Sequence, residues 1–76
     1  MVDYRRVLGE NVRAARSELG VSQEDLGLDT EIDRTYISGI ERGLRNPSLD
    51  VIVRIARHLR TTPAALLAQP ERKPRR

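Results

Sequence analysis

The sequence contains no cysteine, and no run of apolar residues is longer than the five at positions 64–68. Without cysteine the chain has no disulfide framework and no thiolate metal site. An apolar run of five residues is too short for a membrane span or for the hydrophobic segment of a signal peptide. We therefore expect a soluble protein that acts in the cytoplasm.

The chain is also short, and its charges nearly balance. Its 76 residues make one domain, which buries only about 60% of the surface that the unfolded chain exposes. Association with a partner is a natural supplement to so small a core. The formal charge of +3 comes from the end of the chain, because residues 1–70 contain ten basic and ten acidic residues. Nucleic-acid binding must therefore be inferred from where individual charges lie.

Capping residues and hydrophobic periodicity predict helices throughout and no strand. The first helix, residues 4–19, begins after Asp3 and ends at Gly20. Its expected core positions are Leu8, Val12, Ala15 and Leu19. A second, shorter helix begins after Ser22 and buries Leu26, and a connection at residues 29–32 follows it.

The third predicted helix carries the most informative pattern in the chain. It lies between Asp33, a typical N-cap residue, and Gly43, which suits a left-handed helix end. Ile37 and Ile40 share one face, which should join the core. The opposite face is formed by Thr35, Ser38, Gly39 and Arg42, with Arg34 beside it and Tyr36 on its border. Because Gly, Ser and Thr contribute little to helix stability, this face suits close approach to a surface of hydrogen-bond acceptors, such as the groove edges and phosphates of DNA.

The fourth predicted helix, residues 49–59, has two apolar stripes. The expected core stripe is formed by Leu49, Ile52, Val53, Ala56 and Leu59. The second stripe is formed by Val51, Ile55 and His58. This second stripe is either buried in the small domain or contacts a second copy of the chain, and the limited core favours a homodimer.

The end of the chain contains a short helix and a basic segment. Thr62 and Pro63 open a last helix at residues 64–68, since proline suits the first helical position. Residues 69–76 contain two prolines, no apolar residue and four basic residues, so we expect a disordered basic tail. The folded domain is accordingly predicted to span residues 1–68.

Three stretches resemble the helix-turn-helix domain shared by phage repressors and XRE-type regulators. They are SQEDL at 22–26, YISGIERG at 36–43 and RNPSL at 45–49. The run from Asp33 to Arg42 is especially similar to the controller proteins of bacterial restriction–modification systems. The resemblance covers residues 5–68. It implies an all-α, compact five-helix homodimeric domain whose third helix enters the major groove.

The resemblance also assigns DNA-contacting roles. Gln23 matches a phosphate-binding glutamine, while Arg34 and Thr35 match the first base-reading positions. Further matches to phosphate or minor-groove contacts are Arg42, Arg45 and Asn46. Ser38 and Tyr36 complete the candidate DNA-binding set from the exposed face of the same helix, although Tyr36 is equally suited to core packing with its hydroxyl outward. The alternative for Arg34 is a charge that only faces solvent. A cation is unfavourable at a helix N-terminus, however, which favours a role in reading bases.

Other matched positions are structural. Arg16 and Glu41 match an ion pair between the first and third helices. Glu31 stands where the family usually has a left-handed glycine, and Arg60 replaces the usual glycine after the fourth helix. Gly27 stands where the family has alanine. These departures affect the geometry of the turn more than the implied function.

The resemblance implies a sequence-specific transcription regulator that activates and represses its own gene and that of a restriction endonuclease. Activation needs a surface for RNA polymerase, and the acidic residues Glu24 and Asp29 of the second helix are candidates. Neighbouring Asp25 is better explained by its favourable position near the helix N-terminus.

Two other functions are possible on the same sequence. The first is an antitoxin or other XRE-type repressor that acts chiefly through a protein partner. An enzyme is the weaker alternative, because the lone His58 lies among apolar residues and the acidic residues of segment 24–33 lack the spacing of a calcium-binding loop. We expect no cofactor, no metal ion and no small-molecule substrate.

Overall fold

Each helix of the protein begins after a residue whose side chain accepts a hydrogen bond from a free backbone N–H group. These N-cap residues are Asp3, Ser22, Asp33, Ser48 and Thr62. Such a cap contributes about 0.5–2 kcal/mol, because it satisfies a donor that the helix itself leaves unpaired. Short polar residues at the right places therefore divide this chain into its helices.

The computed structural model describes residues 1–69 and contains five helices and no strand within them. The helices are α1 (Tyr4–Leu19), α2 (Gln23–Thr30), α3 (Arg34–Glu41), α4 (Leu49–His58) and α5 (Pro63–Leu66). No helix among these residues is long and apolar enough to cross a membrane. The predicted basic tail lies outside the described residues, apart from Gln69.

One hydrophobic core lies between the helices. Ile37 and Ile40 of α3 are fully buried in it, as predicted, and so is Leu26 of α2. The other buried members are Leu8, Val12, Ile52, Ile55, Ala56, Leu59 and Leu66. Because full burial of one such aliphatic side chain contributes about 1.5–3 kcal/mol, this cluster is the main source of stability. It also fixes which face of α3 points outward.

Two positions predicted to lie in the core, Leu49 and Leu19, are exposed. Leu49 was placed in the core but is 67% exposed, because it is the first residue of α4 and precedes the buried Ile52. Leu19 is also exposed, since it lies in the last turn of α1 while the buried residues of α1 lie between Val7 and Val12.

Ile55 requires a correction of a different kind. It was assigned to a dimer interface, yet it is only 1% exposed within the single chain. The helix is rotated so that Ile55 packs into the core together with Ile52, Ala56 and Leu59, and its side chain is not accessible to a second chain. Of its two predicted companions, Val51 is partly buried against the core and His58 is exposed.

The turn between α2 and α3 is tighter than predicted. α2 continues to Thr30, so the connection does not begin at Asp29. Glu31 then adopts the left-handed conformation with φ of 60°, as the resemblance implied; this conformation costs a non-glycine residue about 1–2 kcal/mol. Gly27 lies close to the end of the turn: a Cβ atom there would lie 2.8 Å from the carbonyl oxygen of Ile32, so a larger residue would require a small shift of the turn. The Ile32 N–H closes the turn by donating to the Gly27 carbonyl.

The remaining boundaries differ from prediction by one or two residues, which is normal for helix ends. Arg60 after α4 is left-handed, with φ of 59°. The end of α5 is held to α1, because the Asn11 side-chain amide donates to the carbonyls of Leu66 and Ala68, both at 2.8 Å. These hydrogen bonds hold the last helix of the described residues against the first one, next to the shared core.

Candidate nucleic-acid interface

The N-terminal parts of α2 and α3 meet and form one polar surface. Gln23, Arg34, Thr35 and Ser38 line a single depression, which we call the reading face. Gln23 and Arg34 also line the adjoining depression with Arg16, Ser22 and Glu24. The structure therefore brings together the predicted base-reading residues and the predicted phosphate-binding glutamine.

The orientation of α3 follows from its cap and its apolar residues. The Asp33 carboxylate accepts the Thr35 N–H at 2.7 Å and starts the helix at Arg34. Burial of Ile37 and Ile40 then leaves Arg34 and Thr35 exposed on the surface. An exposed arginine and a hydroxyl side chain in the first turn of a helix can donate hydrogen bonds to base edges or phosphates.

A mostly buried ion pair joins α1 to α3, the helix that carries most of the reading face. Arg16 of α1 donates to both carboxylate oxygens of Glu41, from Nε at 2.7 Å and from Nη2 at 3.0 Å. The Glu41 side chain is only 4% exposed. The hydrogen bond to Glu41 raises the pKa of Arg16, a side chain that is charged at physiological pH with or without this shift. This confirms the ion pair that the resemblance implied and removes Glu41 from the possible DNA contacts.

The same carboxylate also orients Gln23. The Gln23 side-chain amide donates to Glu41 Oε1 at 3.0 Å. A carboxamide has two N–H donors, so one bond can fix the side chain while a second donor serves a phosphate oxygen. Glu41 thus links α1, α2 and α3 at the point where the predicted phosphate contact lies.

Arg45, in the loop after α3, lies across the helix. Its guanidinium carbon is 5.4 Å from the centroid of the Tyr36 ring, within cation–π distance. A Cβ atom at Gly39 would lie 2.8 Å from Arg45 Cγ, so a larger residue there would require the exposed Arg45 side chain to move. Gly39, predicted on the open face, is therefore buried beneath Arg45. Tyr36 is partly buried against the core, and its predicted contact with DNA stays a prediction.

Arg42 and Asn46, the two other residues predicted to contact DNA phosphates or the minor groove, lie close to Arg45 in the sequence. Arg42 is exposed and donates to the Ser38 carbonyl at 3.4 Å. Asn46 is exposed in the loop itself. Together with Arg45 they place polar and basic groups beside the C-terminal end of α3.

Leu28 is a residue of α2 that the sequence reasoning missed. It is 73% exposed and lines a depression with Ile32, Glu24 and Asp33. The signal was present in the sequence: Leu28 is two positions from the buried Leu26 and cannot share its face. Glu24 and Asp29, the candidate polymerase contacts, are exposed on the same helix.

Two helices joined by a tight turn, the second with a buried apolar face and an exposed polar face, define a helix-turn-helix DNA-binding domain. Within residues 1–69, no group of three or more His, Cys, Asp or Glu side chains is arranged to hold a metal ion.

Comparison with known proteins identifies the family. The helix-turn-helix family matches residues 12–66. Control protein C.BamHI of Bacillus amyloliquefaciens is 47% identical over 66 residues, which are 86% of this chain and 82% of that protein. The restriction-modification controller protein C.AhdI from Aeromonas hydrophila has a similar structure, with a TM-score of 0.78, 39% identity, and coverage of 82% of this chain and 94% of that one. The chain therefore belongs to the XRE-type helix-turn-helix family of DNA-binding transcription regulators, and its relatives include restriction–modification controllers.

A third similar structure is that of the controller protein C.Esp1396I as a tetramer in complex with its natural 35 base-pair operator. It has a TM-score of 0.76 and 32% identity, and the match covers 87% of each chain.

Replacing Glu41 with alanine should lower the free energy of unfolding by about 3 kcal/mol, because it leaves the mostly buried Arg16 guanidinium without its carboxylate. Urea denaturation followed by circular dichroism measures this change. The matched control is Glu10→Ala, which removes the carboxylate of the exposed pair between Arg6 and Glu10 and should change the stability by no more than about 0.5 kcal/mol. Equal losses in the two variants would contradict a supporting role for the buried pair.

Proposed function

We propose that this protein is the controller of a restriction–modification system. It binds operator DNA sequence-specifically as a homodimer, and it activates and represses its own gene and that of the endonuclease. The observation that carries the proposal is the reading face, in which exposed Arg34 and Thr35 lie beside Gln23 on one surface. The similarity to control protein C.BamHI and to an operator-bound controller supports it. We expect it to act in the cytoplasm, where bacterial DNA lies.

The contacts divide into those that read bases and those that position the domain. α3 enters the major groove, where Arg34 donates two hydrogen bonds to guanine O6 and N7 and Thr35 contacts a thymine methyl group or a phosphate. Gln23 at the start of α2 binds a phosphate and fixes the register. Positioning contacts on the other side of α3 come from Arg42, Arg45 and Asn46. Ser38 and Tyr36 lie between these two groups.

Arg34→Ala should weaken binding to the operator by about 1–3 kcal/mol and leave nonspecific binding nearly unchanged, because a bidentate contact to guanine is lost. Gel shifts at fixed salt, with operator and scrambled DNA, measure both affinities. The control Arg57→Ala removes an exposed arginine of α4 and should leave the ratio of the two affinities unchanged. If Arg34→Ala weakens both kinds of binding equally, Arg34 is a phosphate contact and does not read bases.

The alternative function, an antitoxin or repressor acting chiefly through a protein partner, makes an opposite prediction for the same assay. The purified protein would then fail to shift operator DNA until its partner is added. A shift by the purified protein alone favours the controller.

Two flanks of α4 are available for the homodimer. On one flank Leu49 is 67% exposed, and Val53 follows one turn later and is partly buried. The other flank contains the predicted interface residues Val51 and His58, but Ile55 between them is enclosed in the core. We infer that the Leu49 flank forms the interface, since it presents the larger exposed apolar surface and a symmetric dimer must bury the same patch of both chains.

Leu49→Lys should raise the dimer dissociation constant by about tenfold or more, because it buries a charge in an apolar contact. His58→Lys, the matched change on the other flank, should have little effect. Analytical ultracentrifugation without DNA measures both constants. If only His58→Lys weakens the dimer, the interface lies on the Val51–His58 flank as the sequence predicted.

Activation of transcription requires a contact with RNA polymerase, and we place it on the exposed face of α2. Glu24 and Asp29 give this face a negative charge, and Leu28 provides an apolar centre. Such a surface suits a positively charged segment with an apolar side chain. Because Arg34 lines the same depression as Leu28, the segment would belong to a protein seated on DNA next to the half-site.

Glu24→Ala should reduce activated transcription in vitro by about fivefold, the equivalent of losing a contact of about 1 kcal/mol. Operator affinity should be unchanged in a parallel gel shift. Glu18→Ala, which removes an exposed carboxylate of α1, serves as the control. Full activation by Glu24→Ala at saturating protein would exclude Glu24 from the polymerase contact.

A further inference from the structure

The C-terminal end of α2 is held by a residue from another helix. Thr30 is almost fully buried, at 2% exposed, and its hydroxyl donates to the Leu26 carbonyl at 2.6 Å. The Thr30 carbonyl is among the last four of α2, which have no partner inside the helix. Arg54 of α4 donates to this carbonyl from Nη1 at 3.2 Å. A partly buried backbone acceptor thus obtains its hydrogen bond from α4.

This end of α2 is otherwise unfavourable. Glu31, which follows it, is left-handed with φ of 60°. The last turn of α2 contains no basic residue, while Asp29 and Glu31 place negative charges near the negative end of the helix dipole. Arg54 supplies from α4 the positive charge that α2 lacks at this end. Its hydrogen bond therefore acts directly before the left-handed residue of the turn.

The geometry of this turn controls the reading face. Gln23 lies at the start of α2, and Arg34 and Thr35 lie at the start of α3, three and four residues after Glu31. All three must reach the same DNA at once, so the angle between α2 and α3 determines how well the set fits. We propose that Arg54 is a positioning residue for DNA recognition: by holding the Thr30 carbonyl it fixes the angle at which α3 meets its operator. This inference rests on the proposed function of specific DNA binding.

The first experiment compares Arg54→Met with Arg57→Met. Methionine keeps most of the aliphatic length of arginine but cannot donate the hydrogen bond. Both variants lose one exposed arginine of α4, so they match in net charge. Operator affinity of Arg54→Met should fall by about threefold to tenfold, which is the worth of one net hydrogen bond, while nonspecific affinity should match that of Arg57→Met.

The second experiment does not depend on DNA. The Ile32 N–H, which donates to the Gly27 carbonyl across the turn, reports on opening of this turn. Its hydrogen exchange, measured by NMR, should be about threefold to tenfold faster in Arg54→Met than in Arg57→Met. Glu31→Gly removes the left-handed strain, so adding it to Arg54→Met should restore both slow exchange and operator affinity. A residue that only raised global stability would instead speed the exchange of core amides such as that of Ile40 by the same factor as that of Ile32.

The outcomes separate this inference from the function on which it rests. If wild-type protein shows no preference for any DNA sequence, the proposed function fails. If wild-type protein binds specifically and Arg54→Met retains full operator affinity and slow Ile32 exchange, only the positioning role is overturned. Equal losses in Arg54→Met and Arg57→Met would overturn it too. Should Arg54→Met not fold, Arg54→Lys is the second variant. It keeps the charge but replaces the planar guanidinium with a single ammonium nitrogen, so it should show smaller losses of the same kind. Unchanged operator affinity and unchanged Ile32 exchange in Arg54→Lys would overturn a geometric role for the guanidinium.

Discussion

The rest of the structure depends on the hydrogen bonds that the Glu41 carboxylate accepts. It accepts hydrogen bonds from Arg16 of α1 and from Gln23 of α2, and it belongs to α3. A buried charge is tolerated only when it is paired and its oxygens are hydrogen-bonded, so the three helices must adopt one relative arrangement. That arrangement brings the starts of α2 and α3 to one surface, and the reading face is its consequence.

The isoleucines of α3 complete this arrangement from the other side. Ile37 and Ile40 anchor the helix in the core, so its polar residues can be chosen for contact with a ligand and not for stability. The turn between α2 and α3 is tight and strained, because Glu31 is left-handed and Gly27 passes close to the Ile32 carbonyl. Gly39 serves a similar purpose under Arg45. Glu31, Gly27 and Gly39 are therefore small or strained residues that lie near the reading face.

Local signals in the sequence were sufficient for the helices and for much of the site. Asp3 and Gly20 bounded α1 correctly, and Ile37 and Ile40 identified the buried face of α3, because caps and periodicity are properties of neighbouring residues. Ile55 and Leu49 were misplaced because the rotation of α4 depends on how it packs against the other helices. The bond from Arg54 to Thr30 joins residues 24 positions apart, and the cover of Arg45 over Gly39 depends on the path of a loop. Such contacts join residues that are distant in the sequence or depend on a loop, so the periodicity of a single helix cannot predict them.

The most direct test of the account is selection of bound sequences from a random pool of double-stranded DNA by the purified wild-type protein. A dimer that presents two copies of α3 should enrich a palindrome whose half-sites are about one helical turn, roughly 34–36 Å, apart and contain a guanine within reach of Arg34. Absence of any enriched sequence, or enrichment of a single site without symmetry, would contradict the claim that this face of α3 reads DNA in a symmetric pair.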